Sequence, residues 1–106
     1  MEPLFDGTRK TIAGKDFIIP PLSLGQLKKL GPELKAMGQA PQEEQIALMG
    51  RVIHLALSRN YPTISVEEVD DMIDLGNIAE VFQAVVNVSG LERQTKGEAV
   101  GTGTVQ

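Results

Sequence analysis

The sequence of 106 residues lacks cysteine and tryptophan, and it contains one histidine and one tyrosine. Without cysteine there is no disulfide framework, no thiolate nucleophile and no zinc site with cysteine ligands. Positive charge is also scarce, with ten Lys and Arg against fourteen Asp and Glu and a net charge of -4. Nucleic acid is therefore a disfavoured partner, because non-specific binding to it depends on clustered positive charge.

Long apolar runs are missing as well. No window reaches the ~18 apolar residues of a membrane span, and the N-terminal MEPLFDGTRK lacks the apolar segment of a signal peptide. We therefore expect a protein that is neither anchored in a membrane nor exported by a standard signal. Hydrophobic residues nevertheless make up 42% of the chain, which predicts one folded domain with one modest core.

The first predicted element is a short β-hairpin within RKTIAGKDFIIPPL, residues 9–22. Two apolar, β-branched runs flank a turn at Gly14-Lys15, and Pro20 and Pro21 end the second run. An isolated hairpin is marginally stable in water. We therefore expect this hairpin to lie on the helices or to extend a sheet in a neighbouring subunit.

Two helices are predicted in the next part of the chain. Ser23 and Gln26 form a capping box before a leucine-spaced helix, which Pro32 either kinks or divides by starting a new helix. The segment QEEQIALMGRVIHLALSRN then has apolar residues around most of its helical circumference. Such a helix is typical of the centre of a bundle.

Two further helices and a tail complete the predicted fold. Ser65 and Glu68 form a second capping box, and Asn77 and Gly90 are the predicted start and stop signals of the last helix. The predicted class is mainly α: a short N-terminal hairpin and about four helices in a small single-core bundle at residues 1–91. Residues 92–106 have no periodicity and three glycines, which predicts a flexible C-terminal tail.

Several patterns that can carry chemistry are incomplete in this sequence. Gly14-Lys15 lacks the spacing of a phosphate loop, the acids at 67–74 do not alternate as in a calcium loop, and His54 belongs to no catalytic signature. The turn DLGN joins two short helices as in a helix-turn-helix, but NIAEVFQAVVNVSG contains no Lys or Arg. The sequence therefore predicts no enzyme, no cofactor and no metal site.

An apolar stripe on the last two helices is the remaining candidate site. Its members are apolar residues at helical spacing, and we select them as candidate partner-binding residues: Val69, Ile73, Ile78, Val81, Phe82, Val85 and Val86. Two interpretations stay open. The stripe is either ordinary core or, in part, a surface for another protein.

The stretches IAGKDFIIPPLSLGQLKKL and SVEEVDDMIDLGNIAEVFQAVVNVSGL, within residues 9–91, resemble tail assembly chaperones of long-tailed bacteriophages and prophages. The resemblance implies a small, mainly helical, non-enzymatic protein that binds the tape measure protein, keeps it soluble and helps to recruit tail tube protein. It also implies a location in the cytoplasm of the bacterial host and absence from the mature virion. Many such relatives have a longer form made by a programmed ribosomal frameshift.

Two other functions are kept as alternatives. The first is a structural tail or head-tail completion protein of the virion that self-associates through the hairpin edge. The second is a small DNA-binding regulator, which the acidic middle of the chain disfavours: residues 41–91 carry two Lys or Arg against eight Asp or Glu.

Overall fold

The computed structural model describes residues 4–90, so the predicted flexible tail at 92–106 lies outside the described residues. In chain order the elements are β1 (Thr8–Ile12), β2 (Lys15–Ile19), α1 (Leu24–Ala36), a 3-10 turn (Met37–Gln39), α2 (Gln42–Asn60), α3 (Val66–Met72) and α4 (Ile78–Ser89). The predicted class, an N-terminal hairpin followed by four helices, is confirmed. None of the helices within residues 4–90 is long and apolar enough to cross a bilayer.

The hairpin turns one residue earlier than predicted. Ile12 lies opposite Lys15 in the antiparallel register, so Ala13 and Gly14 form the turn. Their φ angles are 52° and 81°, as a two-residue turn between right-twisted strands requires. Strand β2 ends at Ile19, because Pro20 cannot donate a hydrogen bond to a strand ladder.

Helix α1 begins as the sequence predicts. The Ser23 hydroxyl accepts a hydrogen bond from the Gln26 backbone N–H, and the Gln26 side chain accepts one from the Ser23 N–H. The helix continues through Pro32 to Ala36. Of the two predicted possibilities, a new helix that starts at Pro32 therefore does not occur.

Helix α2 is the centre of the fold. It packs against α1, α3, α4 and β2, and its residues Val52, Ile53 and Leu57 are completely buried. The hairpin contributes Ile12 and Ile19 to the same hydrophobic cluster. It thus lies on the helices of its own chain, which satisfies the first of the two expectations for it.

The C-terminal end of α2 also contacts the segment that precedes β1. The buried Asn60 side chain donates to the carbonyl oxygens of Phe5, at 2.9 Å, and Ile18, at 3.0 Å, and it accepts from the Phe5 N–H at 2.6 Å. The Arg59 guanidinium stacks 4.0 Å from the Phe5 ring centroid and donates to the Pro21 carbonyl oxygen at 2.5 Å. Two adjacent residues thereby connect α2 to both ends of the hairpin.

The turn between α3 and α4 differs from its predicted chemistry. Asn77 precedes α4 as predicted, but its side chain makes no cap hydrogen bond to that helix. It donates instead to the Met72 carbonyl at the end of α3 and accepts from the Asp74 N–H. Asp74 Oδ1 accepts from the N–H groups of Gly76 and Asn77, so Asp74 stabilises the turn that leads into α4.

Candidate functional site

Most of the predicted partner-binding stripe lies in the core. The side chains that are buried, at 8% exposure or less, are Val69, Ile78, Val81, Phe82 and Val85. Ile73 and Val86 are partly buried at the edge of the same cluster. Helix α4 is covered by α2 and by both strands, which explains why its apolar face is closed. For the five buried residues the core interpretation therefore applies.

A partly exposed apolar surface lies beside this stripe, between α2 and α3. A groove at this place, here called the α2–α3 groove, is lined by residues of both helices, of the α3–α4 turn and of the start of α4: Ile46, Ala47, Gly50, Arg51, His54, Val66, Asp70, Ile73 and Ile78. Val66, in the first turn of α3, is 52% exposed. Of the seven predicted residues, only Ile73 and Ile78 line this groove.

Gly50 leaves the α2 side of the groove open. A Cβ atom at Gly50 would meet no described atom within 4 Å apart from its chain neighbours and its own helix backbone, so no contact with another element requires a glycine here. Ile46 lies one turn before it and His54 one turn after it on the same face. Sequence reasoning missed Gly50, although a glycine inside an otherwise strong helix was an available signal.

The groove carries negative charge that is not compensated. Asp70 lines it, and Glu67 and Asp71 lie beside Asp70 on α3. Within residues 4–90 the two ion pairs are Lys10 with Glu80 and Arg51 with Glu33. The one cation of the groove, Arg51, is therefore paired outside it, whereas the three acids have no ionic partner among the described residues.

The single histidine lies beside a backbone carbonyl group and not beside a nucleophile. His54 Nε2 lies 3.1 Å from the Ile64 carbonyl oxygen, and the Ser58 hydroxyl donates to the Leu55 carbonyl oxygen at 2.8 Å. Each side chain thus contacts a backbone carbonyl, and the two do not form a nucleophile–base pair. Among residues 4–90 no three His, Asp or Glu side chains lie together in a way that could hold a metal ion.

The two edges of the hairpin differ. On β2 the Ile18 N–H donates to the Tyr61 hydroxyl at 2.9 Å, and the Ile18 carbonyl accepts from Asn60. The sheet has two strands, and no strand within the described part of the chain pairs with the outer edge of β1. That edge carries Arg9 and Lys10, and charged residues on an edge disfavour pairing with a second copy.

A scan against protein-family models, a search among curated proteins and a search among solved structures each give no match to this chain. A function for the chain must therefore be argued from the resemblance of residues 9–91 and from the α2–α3 groove.

Proposed function

We propose that this chain is a tail assembly chaperone of a bacteriophage or prophage. In this role it is a non-enzymatic protein of the bacterial cytoplasm that binds the tape measure protein, keeps it soluble and helps to recruit tail tube protein. The resemblance of residues 9–91 supports the proposal. The structural observation that carries it is the α2–α3 groove, in which Val66 is 52% exposed and Ile73 is only partly buried.

The physical mechanism is coverage of apolar segments before assembly. A long chain with many amphipathic helices aggregates through its apolar faces, and a small protein that occupies those faces removes that route. The chain's net charge of -4 contributes charge repulsion between complexes. The closed face of α4 stabilises the chaperone itself and takes no part in this binding.

Co-expression tests the proposal. The tape measure protein encoded beside this chain is produced alone and together with the wild-type chain, and its soluble fraction is measured after centrifugation. We expect a large rise in that fraction with the chain present. An unrelated acidic protein of similar size is the control for non-specific effects of charge. Equal insolubility in all three samples contradicts the proposed function.

A second candidate is a structural component of the virion, because no described strand pairs with the outer edge of β1, although Arg9 and Lys10 on that edge count against it. Such a protein uses that edge to extend a sheet in a neighbouring subunit. Purified particles separate the two candidates, because the chaperone is absent from them and a structural component is present in stoichiometric amounts. Immunodetection of the chain in particles is the measurement.

A further inference from the structure

We infer that the α2–α3 groove docks one short amphipathic helix whose apolar face is flanked by Lys or Arg. The inference rests on the proposed function and identifies its binding surface and the chemistry of its partner segment. The apolar part of the surface consists of Ile46, Val66 and Ile73, none of which is fully buried. Ile78, buried at 8% exposure, forms the inner wall.

The helical walls of the groove favour a helical partner over an extended one. Both walls are helical, so an extended peptide finds no strand edge to pair with here. Side chains spaced three and four residues apart on a helix fit such a groove. With a length of seven residues, α3 extends for about 10 Å, which corresponds to two turns of the partner helix.

Gly50 permits close approach of that helix. The glycine lowers the helical stability of α2. Apart from its chain neighbours and its own helix backbone, no atom of the described chain lies within 4 Å of the place that a Cβ would take, so packing against another element does not account for it. An open floor between Ile46 and His54 accounts for it, because a partner side chain can then contact the α2 backbone.

The charge of the groove favours positively charged residues beside the apolar face of the partner helix. Asp70 lies in the groove, and Glu67 and Asp71 lie beside it without ionic partners among the described residues. Lys or Arg on the α3 side of the partner's apolar face therefore meets uncompensated carboxylates. A second copy of this chain fits less well. Its lysine-bearing helix α1 would have to offer its apolar face to the groove, but Leu30 on that face is buried in the copy's own core.

Gly50→Leu is the decisive variant. Overlapping 20-residue peptides of the tape measure protein are titrated with the wild-type chain and with Gly50→Leu, and binding is followed by fluorescence anisotropy. The added side chain fills the groove floor, so we expect a loss of affinity of about tenfold or more. Gly38→Leu is the matched control: Gly38 lies in the exposed 3-10 turn outside the groove, and its Cβ would also meet no atom of another residue beyond its chain neighbours and local backbone within 4 Å.

Both glycine variants are checked for folding by circular dichroism and thermal unfolding. Leucine is the better helix former, so we expect each to be at least as helical as the wild type. Equal peptide affinities of Gly50→Leu and the wild type overturn the inference.

A charge reversal tests the chemistry of the partner. Asp70→Lys places a cation in the groove, and we expect a loss of affinity of about threefold or more at low salt. Glu44→Lys makes the same change of charge on α2 at a residue outside the groove, and it leaves affinity unchanged. The peptides bound most tightly carry a net positive charge. Tight binding of acidic peptides, or equal effects of the two reversals, contradicts the assigned partner.

The co-expression experiment separates this inference from the proposed function. If the wild-type chain leaves the tape measure protein insoluble, both the proposed function and the assigned partner are overturned. Equal solubilisation by the wild-type chain and by Gly50→Leu overturns the groove as the binding surface and leaves the proposed function unaffected. A dimer of the wild-type chain that Gly50→Leu converts to a monomer in sedimentation identifies a second copy as the occupant and overturns the assigned partner.

Discussion

Gly7 shows how closely the N-terminal segment approaches the hairpin. A Cβ atom at this position would lie 1.9 Å from the Ile19 carbonyl oxygen and 2.8 Å from the Pro20 Cα. Both atoms belong to backbone at the end of β2, which cannot move away as a flexible side chain can. Glycine is therefore required here by contact and not by an unusual φ angle.

We predict that Gly7→Ala destabilises the protein by about 1–3 kcal/mol, because the segment must move away from β2 to accommodate the methyl group. Gly38→Ala is the control, since Gly38 lies in the exposed 3-10 turn with open space around its Cβ position. It is expected to change the free energy of unfolding by less than about 1 kcal/mol. Urea titration followed by circular dichroism measures both. A loss in Gly7→Ala no larger than the change in Gly38→Ala contradicts the predicted contact.

At the scale of the element, helix α4 has an apolar face that is closed by its own chain. Phe82 and Val85 are 8% and 0% exposed, whereas Asn87 is exposed. Its face is covered by α2 and by the hairpin. A charged residue introduced on this face is therefore expected to destabilise the fold and not to weaken partner binding selectively.

We predict that Val85→Asp destabilises the protein by about 3–5 kcal/mol, because the carboxylate is buried without a partner. Such a loss is comparable with the total stability of a small domain, ~5–15 kcal/mol. Asn87→Asp, which adds the same charge on the exposed side of α4, is expected to cost less than about 1 kcal/mol. Circular dichroism and urea titration distinguish them. A well-folded Val85→Asp that loses only peptide binding contradicts the core assignment.

Sequence patterns predicted the elements better than the surfaces. The capping boxes at Ser23 and Ser65 are both present, because a cap is a local interaction between residues three positions apart. The interactions of Asn60 with Phe5 and Ile18 join residues that are far apart in sequence, and no local pattern encodes them. For the same reason the sequence left open which apolar residues of α4 are covered.

The position of the groove required the fold as well. Ile46 and Val66 are ordinary apolar helix residues in the sequence, and only the packing of α3 against α2 leaves them beside a gap. Asn77 is a comparable case, because a residue with the right type and position for a helix cap bonds to the preceding helix instead. Local preference is outweighed there by the geometry of a short turn.

At the scale of the molecule, one hydrophobic cluster joins the hairpin and all four helices. Both ion pairs among residues 4–90 connect different elements, Lys10 on β1 with Glu80 on α4 and Arg51 on α2 with Glu33 on α1. Their side chains are partly exposed, between 26% and 65%. Solvent-screened pairs of this kind contribute little to stability.

We therefore predict that stability depends weakly on ionic strength. Raising sodium chloride from about 0.1 M to about 1 M, where the screening length falls from ~10 Å to ~3 Å, is expected to change the free energy of unfolding by less than about 1 kcal/mol. Urea titration at both salt concentrations measures this change, because urea itself carries no charge. A loss of several kcal/mol at the higher concentration contradicts the conclusion that the apolar cluster dominates stability.

The hydrogen bonds of Asn60 and Tyr61 have a consequence for amide exchange. The Phe5 N–H is held by Asn60 and the Ile18 N–H by Tyr61, at the end of the central helix. Neither amide can exchange its proton for deuterium unless the contact with that helix opens. These two amides, one before β1 and one in β2, thus report on the opening of the centre of the protein.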